Sequence, residues 1–294
     1  MSRVVLAFGS NIPPRRGYLE RALAEVCAYP GTRLLAASEI EETEPVGVPE
    51  EFRSVKFLNR VAVFETDLPP MEFSRRMHRT EDGLGRKRGN VRNSPRTIDI
   101  DMIDYDGVKL DDPELTLPHP RADERDFVRR PWMELEKTLV RREMKALRAA
   151  VSPRTRLEKS HELCLKLLGF LDGVKRVCLY RALKSELDPA EFERACEERG
   201  IAVSVPEKTD DGYVVAHCGE VDLWICPGLA FTPDGKRLGF GGGWYDRFLA
   251  AAKPEAKAYG VAYSFQMKDR LPQGPWDRRL DGVVTVEIDT GILV

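Results

Sequence analysis

Two aspartates one residue apart, Asp99 and Asp101, stand in the segment SPRTIDIDMI from Ser94 to Ile103. Read as a strand, it sets both carboxylates on one face and Ile98, Ile100 and Met102 on the other. Carboxylates one pleat apart repel each other and weaken a sheet unless a cation lies between them. Oxygen ligands on a rigid strand suit Mg²⁺, which takes one or two carboxylates together with substrate phosphates. The run just before it, GLGRKRGNVRNSPR, carries Arg86, Lys87, Arg88, Arg92 and Arg96. Guanidinium groups beside such a metal site are the parts that neutralise a polyphosphate during transfer. On charge pattern alone, a solvated basic loop paired with an acidic strand is an equal reading. The alternation along the strand favours a site.

A second group lies in DLWICPGLAFTPDGKRLGFGGGWYDRFL, from Asp222 to Leu249, which reads as a buried strand, a turn, and glycines opening a helix. Unhindered backbone N–H groups at such a place favour phosphate. Trp244 occupies the place of the third glycine of a dinucleotide fingerprint, and no glycine-lysine-serine or -threonine ending makes it a P-loop. Taken alone, the turn reads as a structural loop before it reads as a phosphate site.

Two sets of elements must hold these residues. Apolar patterning predicts strands over 3–8, 33–40, 59–65 and 96–105 and helices over 18–27 and 71–81. That order fits an α+β, ferredoxin-like sandwich with helices on one face of an antiparallel sheet. Asp106-Gly107 then reads as a hairpin turn. From Glu136 the chain becomes a charged helical stretch, and Ser152-Pro153 supplies an N-cap and first turn for another helix. The boundary is expected within 136–142, giving domains over 1–136 and 137–294. Strands over 176–180, 202–205, 221–226 and 259–263 then alternate with helices over 189–199 and 244–252, the pattern of an α/β domain with a largely parallel sheet. There is no internal repeat, so the halves are different domains.

The totals agree with two soluble domains. The 294 residues exceed one ordinary compact domain, and 42% hydrophobic with 32% charged residues argues against disorder. A net charge of -2 leaves no field to hold nucleic acid nonspecifically. No apolar run approaches the roughly 20 residues that cross a bilayer. Met1-Ser2-Arg3 leads into a strand-like VVLAF rather than a signal peptide, so a cytoplasmic location without a membrane partner is expected. The six cysteines include no CxxC pair and read as reduced and mostly buried.

Several motifs of the first half follow one another: AFGSN at 7–11, TEPVG at 43–47 with FLN at 57–59, EDGLGRKR at 81–88, PRTIDID at 95–101 and LPHPRADERDFV at 117–128. In that order they closely resemble 6-hydroxymethyl-7,8-dihydropterin pyrophosphokinase. The resemblance implies transfer of pyrophosphate from ATP to 6-hydroxymethyl-7,8-dihydropterin, whose hydroxymethyl oxygen attacks the β-phosphorus while AMP leaves. It implies that Asp99 and Asp101 hold two Mg²⁺ ions and that Arg86 and Arg96 are the principal cations at the transferring group. Arg88 and Arg92 would lie on a loop closing over ATP, and Glu81, His119 and Arg125 would contact ATP. Thr43, Pro45, Val46, Phe57, Asn59 and Phe127 would form the pterin pocket, with Phe127 stacking on the ring and Asn59 reading its amide edge. Singly, His119 reads as a turn histidine and Phe127 as core. The chain departs from some relatives at Asn93 and Ser94, where an aromatic residue and a glycine occur, and at Phe57, where tyrosine is frequent.

The string PGLAF at 227–231, then 234–239, then the glycine-rich run into Tyr245 and Asp246 resembles 5-formyltetrahydrofolate cyclo-ligase. By that likeness Lys145, Arg148, Arg237 and the turn of Gly239, Gly241, Gly242 and Gly243 would hold ATP. Asp246 would take Mg²⁺, and Glu186 and Tyr245 would face the folate. The implied reaction phosphorylates the formyl oxygen of 5-formyltetrahydrofolate; N10 attacks, phosphate leaves, and 5,10-methenyltetrahydrofolate remains. The connection 206–221 is shorter than is usual in the family, which removes part of the folate wall, and Trp244 replaces the first of two tyrosines. The alternative is a degenerate folate- or nucleotide-binding module without catalysis.

Overall fold

The computed structural model describes residues 1–87, 94–122, 124–272, 274 and 277–289. The chain divides into two compact units, Met1–Leu139 and Val140–Val294. Among the described residues no helix is long and apolar enough to cross a membrane.

The first unit runs β1 (Ser2–Ser10), α1 (Arg15–Cys27), β2 (Thr32–Ala37), β3 (Glu41–Thr43), β4 (Phe57–Thr66), α2 (Pro70–Gly83), β5 (Asp99–Tyr105), β6 (Leu110–Asp112), β7 (Leu115–Leu117) and the start of α3 (Asp126–Ala150). Its main sheet has the order β2-β4-β1-β5, antiparallel throughout, with β3 also paired to β4. Alternation sorts the strands into two faces. Val4, Leu6, Phe8, Ala62, Phe64, Ile100 and Met102 face α1 and α2, where Leu19, Ala22, Val26, Phe73 and Met77 complete a core. Three to four residues separate most of these helical positions, the spacing of one helix face.

The opposite face also carries apolar residues, Val5, Val61, Val63 and Ile103, and these are covered by Ala122, Val128, Leu135 and Leu139. Helices on one face only is therefore corrected: four apolar outward positions have to be shielded from water, and the start of α3 does it. The predicted strand 33–40 ends early, as β2, because the chain leaves the ladder around Ser38, whose N–H still donates to the Val61 carbonyl at 2.8 Å; β3 begins only beyond it, at Glu41. The strand expected from Arg96 starts at Asp99, while the Arg96 N–H donates to Asn11 Oδ1 at 2.7 Å instead of a ladder partner. Asp106 and Gly107 do make a tight turn, both at positive φ (52° and 72°). The strand that follows pairs with β7 rather than returning along β5, so the hairpin reading is corrected.

The second unit holds the rest of α3, then α4 (Pro153–Leu167), β8 (Arg176–Cys178), α5 (Ala190–Glu198), β9 (Ala202–Ser204), β10 (Pro206–Thr209), β11 (Gly212–Val215), β12 (Leu223–Cys226), β13 (Ala230–Phe231), β14 (Arg237–Leu238), α6 (Trp244–Ala251), β15 (Lys257–Tyr263) and β16 (Gly282–Val286). Ser152 caps α4 by accepting the Thr155 N–H at 3.0 Å. The five-stranded sheet β16-β15-β12-β8-β9 is wholly parallel. Its central strand β12 is buried along its length: Leu223 and Ile225 face α4 and α5, and Trp224 and Cys226 face α6. In this order the chain reverses its direction of travel between β8 and β12, and in open parallel sheets ligands bind outside the carboxyl ends at such a switch.

Candidate functional site

On the far face of the first sheet the character changes along the strands. Ala7 pairs with Asp101 and Val61, and Gly9 pairs with Asp99 and Asn59, so beyond the covered valines the same face becomes small and polar. Here lies an open cleft lined by Thr43, Val46, Phe57, Asn59, Arg96, Asp99, Asp101, Arg125 and Phe127 among others. Pro45 does not line it, although its neighbours Glu44 and Val46 do.

Cations surround both carboxylates. Asp99 pairs with Arg86 and, at 2.9 Å, with Arg96; Asp101 accepts from Arg125 at 2.9 Å. Enclosure by protein and then the Asp99 charge push the Asp101 carboxyl above its ordinary value, while His119 and Arg125 oppose that rise. Burial first, against the pull of Asp101, lowers the His119 imidazole. His119 Nδ1 accepts the Arg121 N–H at 3.1 Å, so in the neutral ring the proton sits on Nε2, 4.0 Å from Asp101. Glu81 is only 2% exposed; it accepts the Ile100 N–H at 2.8 Å and pairs with Arg86, and so anchors the start of β5 and one cation rather than facing the cleft. Arg88 and Arg92 lie outside the described residues.

The Arg96 guanidinium stands 5.4 Å from the Phe57 ring centre, and that of Arg125 6.0 Å from the Phe127 ring centre. Asn59 donates to Thr43 Oγ1 at 2.6 Å, which orients its amide. A Cβ on Gly9 would come 3.0 Å from Asn59 Oδ1. Gly9 is thus a residue the sequence reading passed over within AFGSN: its lack of a side chain keeps the amide oxygen clear. The donor set suits Mg²⁺, since two carboxylates share one face lined by small residues and their charges already oppose each other.

In the second unit, Arg148 joins the loops that follow β8 and β12. It is 2% exposed, donates to Ser185 Oγ at 3.0 Å and to the Ser185 and Gly228 carbonyls at 3.3 Å, and lies 3.5 Å from Glu186. Burial raises the Glu186 carboxyl, opposed by the Leu183 N–H and by Arg148. The residues expected on ATP and on folate, Arg148 and Glu186, are therefore partners at the switch point. Phe240, in the glycine-rich turn, stacks under Arg148 at 5.5 Å and Lys145 at 5.7 Å. Arg237 lies 3.2 Å from Asp246 and 5.3 Å from the Tyr245 ring centre, and a Cβ on Gly239 would meet its guanidinium at 2.7 Å. Gly241 and Gly243 adopt positive φ, while Gly242 does not. Arg141 was missed: its Nε donates to the Gly239 carbonyl at 3.0 Å. Arg141, Lys145 and Arg148 stand at i, i+4 and i+7, a helical stripe legible in the charges of α3.

Comparisons with known proteins agree with this division. Residues 5–137 match the family model for 7,8-dihydro-6-hydroxymethylpterin-pyrophosphokinase, and residues 206–286 that of the 5-formyltetrahydrofolate cyclo-ligase family. The chain is 36% identical over 130 residues to 2-amino-4-hydroxy-6-hydroxymethyldihydropteridine pyrophosphokinase of Bacillus subtilis, covering 44% of this chain and 75% of that protein. It is 30% identical over 168 residues to 5-formyltetrahydrofolate cyclo-ligase of Mycoplasma pneumoniae, covering 52% of this chain and 100% of that protein. A solved 5,10-methenyltetrahydrofolate synthetase from Mycoplasma pneumoniae matches with 28% identity and a TM-score of 0.46, over 50% of this chain and 97% of that one. The chain is a fusion that belongs to both families, its first half to the hydroxymethylpterin pyrophosphokinases and its second to the 5-formyltetrahydrofolate cyclo-ligases.

Proposed function

We propose that the chain is a bifunctional folate-pathway enzyme. Its first unit, a ferredoxin-like sandwich by the order of its strands, moves pyrophosphate from ATP to 6-hydroxymethyl-7,8-dihydropterin. The observation that carries this reading is the juxtaposition of Asp99 and Asp101, ringed by Arg86, Arg96 and Arg125, with the Thr43–Asn59 pair and two aromatic rings in one cleft. The rings of Phe57 and Phe127 receive the pterin, Asn59 reads its amide edge, and Val46 lines the wall. Mg²⁺ held by Asp99 and Asp101 shields phosphate charge when bound. Arg96 and Arg86 let go of the Asp99 carboxylate they share to meet the phosphates, and Arg125 holds Asp101 in place. The hydroxymethyl oxygen bonds to the β-phosphorus as its bond to the α-bridging oxygen breaks; in-line positioning and charge neutralisation carry the step.

The second unit converts 5-formyltetrahydrofolate to 5,10-methenyltetrahydrofolate with ATP. Support comes from the match of the whole Mycoplasma relative and from Arg148 and Glu186 lying at the sheet's switch point. Arg141, Lys145, Arg237 and the glycine-rich turn would face phosphate, Asp246 would take Mg²⁺ through lone pairs left by Arg237, and Tyr245 would border the folate. The β10–β11 hairpin would serve as a short folate wall.

Two assays on the purified full-length chain test both readings. AMP should form from ATP only with hydroxymethyl-dihydropterin present, and methenyl product should absorb only with ATP and 5-formyltetrahydrofolate together. No AMP formation sinks the first reading. Folate or ATP binding without methenyl product makes the second unit a binding module.

A further inference from the structure

The connection between β9 and β12 is short, yet it is not a bare loop: β10 and β11 pair from Pro206↔Val215 to Thr209↔Gly212. Its base is fixed, since Ser204 Oγ donates to the Ala216 carbonyl at 3.0 Å and Val215 is buried. Beyond the base its second strand carries Tyr213 and Val214, 41% and 51% exposed, and the far end is the Thr209–Gly212 pair. One side chain from elsewhere grips that end. The Trp244 indole lies over Gly212, where an added Cβ would fall 1.6 Å from the ring, at a φ of 130° that favours glycine. Its pyrrole edge lies against Gly242, where an added Cβ would come within 2.6 Å. Tyr213 meets the indole edge-on with ring centres 5.5 Å apart, and the Arg247 guanidinium caps it at 4.1 Å while donating to the Gly242 carbonyl at 2.9 Å.

A glycine of the hairpin and a glycine of the phosphate-side turn thus share one indole, so neither can move far without dragging it. We propose that Trp244 is a positioning residue, a clasp that joins the hairpin to the glycine-rich turn so that a nucleotide on the turn orders the hairpin beside the folate. This rests on the nucleotide reading of the second unit. Coupling through a packed side chain with two sides to lose is the usual physical route between neighbouring sites.

Hydrogen–deuterium exchange of the full-length chain, with and without Mg²⁺ and ATP, tests it directly. In the wild type, ATP should slow exchange both in 239–243 and in 207–215. In Trp244→Ala the hairpin should lose that response, and Trp244→Phe should restore part of it. Gly212→Ala, which leaves the turn intact and pushes the hairpin off the indole, should uncouple the two segments in the same way. In cyclisation assays both uncoupled variants should raise the KM for 5-formyltetrahydrofolate about tenfold while changing kcat little. Protection of the turn alone in the wild type overturns the clasp and leaves the nucleotide reading standing. A hairpin response that survives both Trp244→Ala and Gly212→Ala also overturns it. A wild type in which ATP protects neither segment overturns the nucleotide reading and the clasp with it.

Discussion

The two candidate sites keep their charges in opposite ways. In the first unit Asp99 and Asp101 line an open cleft, and their arginine partners are themselves 17–21% exposed at the side chain. In the second, Arg148 and Glu186 are 2% and 6% exposed and hold each other at 3.5 Å. A pair that lines a cleft can trade partners with an anion entering that cleft, because the new partner replaces the old one where the ion pair faces the opening. A closed pair has lost its hydration and depends on its partner. The first site is thus organised for charge to pass through, and the second for charge to hold two loops together.

The comparison breaks first at the aspartates. Asp99→Ala or Asp101→Ala should lower AMP formation by about 10³-fold or more with the fold retained, measured by turnover and circular dichroism. Normal turnover in either folded variant would remove the carboxylates from the chemistry. Next comes the closed pair: Arg148→Ala should cost about 3–5 kcal/mol in chemical denaturation by leaving Glu186 uncompensated, and adding Glu186→Gln should return part of it. A loss below about 1 kcal/mol would show that water reaches the pair.

Glu186 also gives the pair a pH signature. Its carboxyl is raised from an ordinary 4.5, so the folded chain binds its proton more tightly than the unfolded one. Its contribution to stability is therefore present below 4.5 and is lost as pH rises through the raised folded value. Glu186→Gln should flatten that fall; an unchanged slope would assign the pH dependence elsewhere. The smallest effect is expected at Gly9. Gly9→Ala should raise the pterin KM several-fold and leave the KM for ATP near its wild-type value, because the new methyl presses on Asn59 and not on the carboxylates.

Much of this was legible in the sequence wherever neighbours force the pattern. Asp99 and Asp101 alternate with Ile98, Ile100 and Met102, and a pleat whose apolar side is buried has no choice of face. The parallel second sheet followed from alternating strands and helices for the same reason. A β-bulge in β5 was not legible: against β1 the register slips between Val5, which pairs with Asp104, and Leu6, which pairs with Met102, so that Met102 and Tyr105, three residues apart, share one face. Nor was the far cover, whose Ala122, Val128, Leu135 and Leu139 are scattered over a turn and a helix. β16 reads as GVVTV, too short and uniform to be told from any apolar run until it pairs with β15. At the sites, Gly9 was hidden by being an absence of side chain, whereas Arg141 stands in a stripe with Lys145 and Arg148 that the helical spacing of α3 makes legible.

The placement of β12 bears on how the chain comes off the ribosome. Its partners β8 and β15 lie on either side of it in sequence, and the interior they enclose closes only when both are present. Every strand of the first sheet has been made by Tyr105, and its covering residues by Leu139, so that unit can collapse early. The second cannot. Until Lys257–Tyr263 emerges, LWIC is a stretch of bare apolar backbone with one edge unpaired, and delay at that point of synthesis is where aggregation would begin.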